Sequence, residues 1–218
     1  MANWALISDF DGTASMTDVG DAMAKHFVGP NCWTDVDAFI SGRRLTAKDA
    51  YEQVLGRMQV SDQDLADFVL QFELDPYFGV AASLFADRGL PVLILSDGYH
   101  YYIDRILKKE GLDWIPRIAN QLVIENTTAI PLFPHHGLLN CHRCGCCKTY
   151  HLRQLKTSGY KIIYFGDGYT DRCAARSADV VFAKDYLAQF LSRQEIPFIP
   201  FKNYQDALPK LKRYLNNS

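Results

Sequence analysis

The stretch at residues 4–13, WALISDFDGT, decides the fold of this 218-residue chain. Its first half, WALIS, is a short apolar run without polar alternation, which is typical of a strand buried on both faces of a parallel sheet. Its second half places Asp9 and Asp11 directly after that strand, and Gly12 permits a turn there. Because ligands bind beyond the carboxyl ends of the strands in an open α/β sheet, the stretch predicts both a sheet and a site.

Further apolar runs repeat this pattern along the chain. They are LPVLILS (90–96), KIIYFG (161–166), VVFA (180–183) and IPFIPF (196–201). Amphipathic helical patterns that end at Gly111 and Gly159 lie between them, and this alternation predicts an α/β fold with a Rossmann-like, doubly wound parallel sheet. The stretch RIANQLVIENTTAIPLFP (117–134) predicts a strand and a hairpin that turns near residues 126–128.

Residues 15–80 interrupt this alternation with helical patterns alone. The segments DVGDAMAKHF, TDVDAFISG, TAKDAYEQVLGRM and SDQDLADFVLQF are each typical of an amphipathic helix, and several begin with Thr, Ser or Asp, which favour helix N-caps. The sequence therefore predicts two domains. Residues 1–14 and 81–218 form a core, and residues 15–80 form a small helical domain inserted after the first strand.

Charge and hydropathy argue against nucleic-acid-binding, membrane-spanning and secreted proteins. The formal net charge of -2 argues against a nucleic-acid partner. No apolar run approaches the ~18 residues of a membrane span, and MANWALISDFDGT lacks the basic region and the long apolar stretch of a secretory signal. We therefore expect a cytoplasmic protein with reduced thiols and no membrane partner. The sequence carries no indication of an oligomeric state.

Carboxylates and a hydroxyl follow three of the predicted strands. Asp9 and Asp11 follow the first, Ser96 and Asp97 end the second, and Asp167 follows the third, with Asp171 one turn later. One Asp-Gly pair alone is more often a simple turn, but three at successive strand ends indicate a shared site. Neighbouring carboxylates repel one another unless a cation lies between them, so we expect an oxygen-ligand site for Mg²⁺. One aspartate could then attack phosphorus while another moves a proton.

These segments carry a family resemblance. DFDGT, ILSDG, a lysine that opens a helix (Lys148) and GDGYTD resemble, in order, the four motifs of the haloacid dehalogenase superfamily of phosphatases. The resemblance implies the haloacid dehalogenase fold, with the helical insertion as a cap that closes over the active site and excludes water. It also implies Mg²⁺-dependent hydrolysis of a small-molecule phosphate monoester through an aspartyl-phosphate intermediate.

The resemblance implies catalytic roles motif by motif. Asp9 matches the nucleophile, and Asp11 matches the general acid–base that protonates the leaving alcohol and later activates water. Ser96 matches the hydroxyl that holds the phosphoryl group, helped by the backbone N–H of Gly98. Lys148 matches the cation that orients the nucleophile and the phosphate.

The resemblance also implies a metal site. Asp9, the carbonyl of Asp11, and Asp167 match ligands of Mg²⁺, and Asp171 matches the second acidic residue of the fourth motif. One departure concerns Asp97, which stands where near relatives have a glycine and adds a charge close to the phosphate. Asp97 is therefore a candidate substrate-binding residue.

Within the superfamily, the choice of substrate remains open between several groups. Phosphoserine phosphatases carry a Glu for the serine amine where this chain has Asp18, which makes Asp18 a further substrate-binding candidate. Their arginine for the serine carboxylate would fall within residues 50–56, AYEQVLG, where this chain has no basic residue. Because a buried carboxylate without a cation is costly, this difference disfavours phosphoserine.

A second group resembles the chain more closely. It contains the methionine-salvage phosphatases that act on 2-hydroxy-3-keto-5-methylthiopentenyl-1-phosphate, and the resemblance rests on DFDGT followed by MTD, on CGCCK and on FAKDYL. An uncharged thioether tail would suit cap residues such as Trp33, Phe39 and Tyr51, although apolar residues at helical spacing more often form core. The same motifs also resemble phosphatases of phosphocholine and phosphoethanolamine, which stay as alternatives.

Four cysteines crowd into CHRCGCCK at residues 141–148. They raise an alternative of another class, a zinc-dependent interaction protein, beside a non-catalytic phosphate-binding protein on the same fold. Structural zinc sites usually take spaced pairs of ligands from different segments, whereas these four lie within seven residues. We therefore favour a reduced loop that supports Lys148, and the presence of both Asp9 and Asp11 favours catalysis.

Overall fold

The computed structural model describes residues 3–34 and 46–216 and centres on a seven-stranded sheet. Its order is β4-β3-β2-β1-β5-β6-β7, and only β3 and β4 pair antiparallel. The strands are β1 (Trp4–Ser8), β2 (Val92–Tyr99), β3 (Arg117–Glu125), β4 (Thr128–Leu132), β5 (Lys161–Gly166), β6 (Val180–Ala183) and β7 (Ile199–Pro200). The predicted doubly wound α/β architecture is confirmed.

Helices surround the sheet. Those in the described ranges are α1 (Val19–Phe27), α2 (Ala47–Leu55), α3 (Asp62–Val69), α4 (Phe78–Ala86), α5 (His100–Lys109), α6 (Lys148–Thr157), α7 (Arg172–Ala175), α8 (Asp185–Arg193) and α9 (Tyr204–Asn216). The predicted helix TDVDAFISG lies, apart from Thr34, outside the described residues. In those two ranges, no helix combines the length and the apolar character that crossing a membrane requires.

The strand predictions differ from the structure mainly at strand ends. The strands β1, β5 and β6 match the predicted runs, and the hairpin turns at Asn126 and Thr127, whose φ angles are 48° and 71°. β2 extends past Ser96 to Tyr99 because its pairing with β3 shifts register between Leu95 and Tyr99. β7 keeps only two residues of IPFIPF, since its prolines cannot donate ladder hydrogen bonds at this edge.

The sheet is buried on both faces, which explains the lack of polar alternation in β1. Trp4 and Leu6 belong to the main hydrophobic cluster on one face, and Ala5 and Ile7 belong to a second cluster on the other face. An aromatic stack fills the main cluster beside β5. Its centre is Phe165, whose ring lies 4.4 Å from that of Phe182 and 4.8 Å from that of Tyr204.

The order of the strands places a crevice at the carboxyl end of β1. After β1 the chain builds β2, β3 and β4 on one side, and it then crosses to build β5, β6 and β7 on the other side. The switch point therefore lies between β1 and β5, where ligands bind in open α/β sheets.

The helical insertion joins the core through two paired connections. The N–H of Met16 donates to the carbonyl of Glu73 at 3.1 Å, and the N–H of Asp75 donates to the carbonyl of Ala14 at 2.9 Å. The boundary predicted at residue 80 falls inside α4, which contacts the core strands β1 and β2. We propose the same two-domain organisation, with the core resuming at α4.

Phe182→Ala should lower the free energy of unfolding by about 3–5 kcal/mol, because it removes a buried ring that stacks on Phe165. The exposed Val80 provides the control, since Val80→Ala should change stability by no more than about 0.5 kcal/mol. Urea unfolding followed by circular dichroism measures both values. A loss below about 1 kcal/mol for Phe182→Ala would show that the stack is not a tightly packed part of the core.

Candidate active site

A wide helical turn (Phe10–Ala14) follows β1 and joins it to the end of β5. The N–H of Asp9 donates to the carbonyl of Phe165 at 2.9 Å, and the hydroxyl of Thr13 donates to Asp167 Oδ1 at 2.6 Å. Gly12 has a φ of 66°, and a Cβ at this position would lie 2.6 Å from Asp167 Oδ2. The glycine therefore permits both the left-handed turn and the close approach of the Asp167 carboxylate.

Lys148, the first residue of α6, lies between two carboxylates. Its Nζ is 2.7 Å from Asp9 Oδ1 and 2.6 Å from Asp171 Oδ1, and its side chain is only 2% exposed. Burial by itself would lower the pKa of Lys148, but the negative charges of Asp171 and Asp9 outweigh it and raise that pKa well above the usual value. The lysine therefore stays charged.

Asp171 has both carboxylate oxygens engaged. Besides Lys148, its Oδ1 accepts from the hydroxyl of Tyr164 at 2.5 Å, and its Oδ2 accepts from the backbone N–H groups of Asp167 and Gly168 at 3.1 and 2.9 Å. Asp171 therefore fixes the turn after β5 and holds the lysine in place.

Asp9, Asp167 and Asp171 form a candidate metal site. Each offers a carboxylate oxygen, and these atoms lie within 4.8 Å of one another. Burial, followed by the charge of Asp171, raises the pKa of Asp167 to about 7, and the same two causes raise the pKa of Asp9 against the effect of Lys148. A divalent cation would relieve this repulsion, and hard oxygen ligands suit such an ion. Asp9 and Asp167 therefore fit as ligands of a divalent metal, and Asp171, whose oxygens are already engaged, lies beside them.

The cysteines do not form a comparable site. Across residues 3–34 and 46–216, the aspartate group is the one set of three or more His, Cys, Asp or Glu ligands close enough to hold a metal. Cys144 and Cys147 are half-buried and Cys146 is buried, all as free thiols. Burial raises the pKa of Cys147 above its usual value, which keeps the thiol protonated. The structure thus favours the supporting loop over the zinc alternative.

The Asp11 carboxylate lies apart from the metal group and faces the start of the insertion. Its Oδ2 accepts from the hydroxyl of Tyr102 at 2.5 Å, and its Oδ1 accepts from the N–H of Val19, the first residue of α1, at 2.9 Å. Burial, followed by the charge of Asp18, raises the pKa of Asp11 to about 8, although the hydrogen bonds oppose this rise. At neutral pH Asp11 therefore carries a proton that it can donate.

Ser96 and Gly98 lie beside Asp11 at the end of β2. The Ser96 Oγ accepts from the N–H of Gly98 at 2.9 Å and lies 3.5 Å from Asp11 Oδ2. A Cβ at Gly98 would overlap the Tyr102 hydroxyl and the Asp11 carboxylate, so only glycine fits here. The close packing brings the second motif against the first.

Two cavities adjoin these groups. The inner cavity, of about 220 Å³, is lined by all the predicted catalytic side chains except Lys148, and also by Asp18 and Asp97. The outer cavity, of about 510 Å³, is lined by residues of the insertion that include Trp33 and Tyr51. Both share Asp18 and Tyr51, so an inner polar chamber continues into a larger outer one.

Two tyrosines and a threonine that were not among the predicted site residues hold its carboxylates. Tyr102 is fully buried, and its hydroxyl donates to Asp11. Thr13 and Tyr164 bind Asp167 and Asp171 in the same way. Thr13 is the last residue of the first motif, DFDGT, and that position was the available signal in the sequence. The contact of Tyr164 depends instead on how β5 meets the start of α7. Of the cap residues considered for an apolar tail, Phe39 lies outside the described ranges.

Comparison with known sequences points to phosphatases. A family model described as "Putative Phosphatase" matches residues 5–198. A 2-hydroxy-3-keto-5-methylthiopentenyl-1-phosphate phosphatase of Geobacillus kaustophilus is 30% identical over 213 residues, which cover 95% of each chain. The protein of the same name from Exiguobacterium sibiricum is 29% identical over 211 residues, again 95% of each chain.

Comparison with solved structures shows the fold. A phospho-aspartyl intermediate analogue of phosphoserine phosphatase superposes with a TM-score of 0.72 at 15% identity, covering 96% of this chain and 99% of the other. A substrate-bound phosphoserine phosphatase complex superposes with a TM-score of 0.71 at 16% identity, with the same coverage. The chain therefore has the haloacid dehalogenase fold that its motifs predict.

Gly12→Ala should weaken the binding of a divalent cation by about 10-fold or more, because the new Cβ displaces the Asp167 carboxylate. Gly89→Ala is the matched control, since Gly89 has a similar φ of 68° and nothing lies within 4 Å of its Cβ position. Calorimetric titration of each purified variant with Mg²⁺ measures the affinity. Equal affinities in the two variants would exclude Asp167 from the metal site.

Proposed function

The chain belongs to the Putative Phosphatase family, and from this membership we propose that it hydrolyses a small phosphate monoester with Mg²⁺ through an aspartyl-phosphate on Asp9. The observation that carries the proposal is the buried ammonium of Lys148 at 2.7 Å from Asp9 Oδ1, beside a second carboxyl group, Asp11, with a pKa of about 8. This arrangement supplies a nucleophile whose negative charge the ammonium of Lys148 stabilises, and a proton donor at neutral pH. A turn without catalytic function requires neither.

The first step transfers the phosphoryl group to the protein. A carboxylate oxygen of Asp9 attacks phosphorus, and the bond between phosphorus and the ester oxygen breaks. Asp11 donates its proton to that oxygen, so the alcohol leaves neutral. The raised pKa of Asp11 suits this task because it keeps the proton on the carboxyl group until the leaving group needs it.

The second step regenerates the enzyme. A water molecule attacks phosphorus, the bond to the Asp9 oxygen breaks, and Asp11 takes the proton that the water loses. Inorganic phosphate and the free Asp9 carboxylate are the products. Asp11 therefore acts first as an acid and then as a base, as microscopic reversibility requires.

Fixed positive groups and hydrogen-bond donors would hold the phosphate through both steps. Lys148 and the Ser96 hydroxyl would take this role, together with the N–H of Gly98 once it exchanges its bond to Ser96 Oγ for one to the phosphate. Asp9, Asp167 and the carbonyl of Asp11 would hold Mg²⁺, with Asp171 positioned behind them. The ion would supply positive charge that offsets the repulsion between the Asp9 carboxylate and the anionic phosphate.

The outer cavity supports a substrate without a carboxylate. Its basic side chain among the described lining residues, Lys25, already pairs with Asp21 at 2.7 Å. Trp33 and Tyr51 contribute aromatic surface, which suits an apolar tail. The relatives are named as phosphatases of 2-hydroxy-3-keto-5-methylthiopentenyl-1-phosphate, an ester with a thioether tail. We propose this ester as the substrate and regard phosphoserine as less favoured.

One observation favours a second candidate. Asp18 and Asp21 line the outer cavity together with Trp33 and Tyr51. Carboxylates beside aromatic rings are a setting that binds ammonium groups. Phosphocholine and phosphoethanolamine are therefore the alternative substrates.

Asp9→Asn should abolish phosphate release, because an amide cannot act as the nucleophile. The exposed Asp113 provides the control, and Asp113→Asn should retain the wild-type rate. The assay measures phosphate release from phosphomonoesters with Mg²⁺, and acid quenching followed by peptide mass spectrometry locates the phosphoryl group on Asp9. Turnover that survives in Asp9→Asn would contradict the nucleophile assignment.

Trp33→Ala should lower kcat/KM for the thioether ester by about 10-fold, because it removes apolar surface from the outer cavity. Trp114→Ala is the control with the same substitution, since Trp114 is 46% exposed and lines neither cavity. This variant should leave kcat/KM unchanged. The same assay ranks the thioether ester, phosphoserine, phosphocholine and phosphoethanolamine on the wild type. A ranking led by phosphocholine or phosphoethanolamine would favour the second candidate.

A further inference from the structure

Asp97 is a buried carboxylate that the proposed chemistry does not use. It lies in the second motif, within β2, and the residue is 5% exposed. Its Oδ1 accepts a hydrogen bond from the backbone N–H of Cys146 at 2.6 Å. A buried backbone N–H needs an acceptor, and Asp97 supplies it from a different part of the chain.

Cys146 belongs to the cysteine loop, which we define as residues 141–147. This loop leads directly into Lys148, and the N–H of Lys148 donates to the carbonyl of Cys146 at 3.0 Å. The peptide that Asp97 binds is therefore adjacent to the first turn of α6. Any movement of that peptide would displace the lysine with it.

Gly145 shows how closely the cysteine loop lies against the sheet. A Cβ at this position would lie 2.8 Å from Asp97 Oδ1, 2.8 Å from Asn120 Nδ2 and 2.6 Å from Phe133 Cδ1. The amide of Asn120 in turn donates to the carbonyl of Asp97 at 2.6 Å. The glycine of CGCCK thus permits the close contact of the loop with Asp97 in β2 and Asn120 in β3.

We propose that Asp97 is a positioning residue that holds the cysteine loop against β2 and thereby places Lys148 beside Asp9. The proposal rests on the proposed function, in which Lys148 orients the nucleophile and the phosphate. The ammonium must lie within 2.7 Å of Asp9 and 2.6 Å of Asp171 at the same time, so its backbone has little freedom. A displacement of about 1 Å in such a group is worth about 100-fold in rate.

The competing role for Asp97 is direct contact with the substrate. The residue lines the inner cavity, and its Oδ2 has no hydrogen-bond partner in the part of the chain that the structure describes. A carboxylate that binds substrate through its charge would affect KM, and Asn would not replace it. A residue that holds the loop through Oδ1 would affect kcat, and the amide oxygen of Asn would accept the same bond from Cys146.

The test compares Asp97→Ala with Asp97→Asn in the full chain. Asp97→Ala should lower kcat by about 100-fold with KM changed by less than about 3-fold, and Asp97→Asn should recover most of kcat. The other bonds of the loop remain in both variants, from Cys147 N–H to the carbonyl of His135 at 3.1 Å and from Ala47 N–H to the carbonyl of Arg143 at 2.9 Å. Equal impairment of the two variants, or a change mainly in KM, would overturn the proposal.

A second measurement does not depend on activity. Cys146 is only 1% exposed, so its thiol should be protected from alkylation while the loop is held. Iodoacetamide labelling followed by peptide mass spectrometry should show about 10-fold faster modification of Cys146 in Asp97→Ala than in Asp97→Asn or wild type. Unchanged protection would overturn the anchoring role, and faster labelling in a protein without phosphatase activity would refute only the proposed function.

Gly145→Ala approaches the same contact from the loop side and leaves Asp97 intact. Its Cβ should push the loop away from β2, so it should lower kcat and expose Cys146 as Asp97→Ala does. This variant also covers the case in which Asp97→Ala fails to fold. Full kcat with a protected Cys146 in Gly145→Ala would overturn the proposal.

Discussion

The ammonium of Lys148, held between the carboxylates of Asp9 and Asp171, is the interaction on which the rest of the site depends. It joins the ends of β1 and β5 to the start of α6, across the switch point of the sheet. Burying three charges contributes little net stability, but removing the cation would leave two like charges unpaired in the interior, at a cost of about 3–5 kcal/mol. The arrangement is therefore better explained by chemistry than by stability.

Burial sets the chemistry of the surrounding carboxyl groups. It raises the pKa of Asp167 to about 7, where a divalent cation would restore the ionised form, and it raises the pKa of Asp11 to about 8, where no cation is needed. Asp167 therefore suits metal binding and Asp11 suits proton donation, although both residues follow buried parallel strands. The difference lies in their partners, since Asp11 faces Tyr102 and the start of α1, whereas Asp167 faces Asp9 and Asp171. The insertion therefore contributes directly to the environment of the proton donor.

The cysteine loop shows that the role of a sequence motif depends on the residues that contact it in the fold. Four thiols in seven residues suggest a metal, but they do not form a metal-binding group in the described structure. The contacts that bear on the site are instead those of the backbone N–H of Cys146, of Gly145 and of the Lys148 that follows. Asp97 in β2 accepts from the N–H of Cys146, and Asn120 in β3 donates to the carbonyl of Asp97. The loop thus fixes the position of Lys148 relative to β2.

The sequence by itself determined the doubly wound sheet and indicated the helical insertion and the phosphatase family, because buried strands, helix caps and the short motifs that contain Asp9, Ser96, Lys148 and Asp167 are each local patterns. Only the tertiary structure decided that Tyr102 and Val19 hold Asp11, that Asp171 has no free oxygen, and that Asp97 binds the cysteine loop. These contacts join residues up to 91 positions apart. They arise where strands, helices and loops meet, and the pattern of one segment carries no information about which backbone group of another segment will lie within hydrogen-bonding distance.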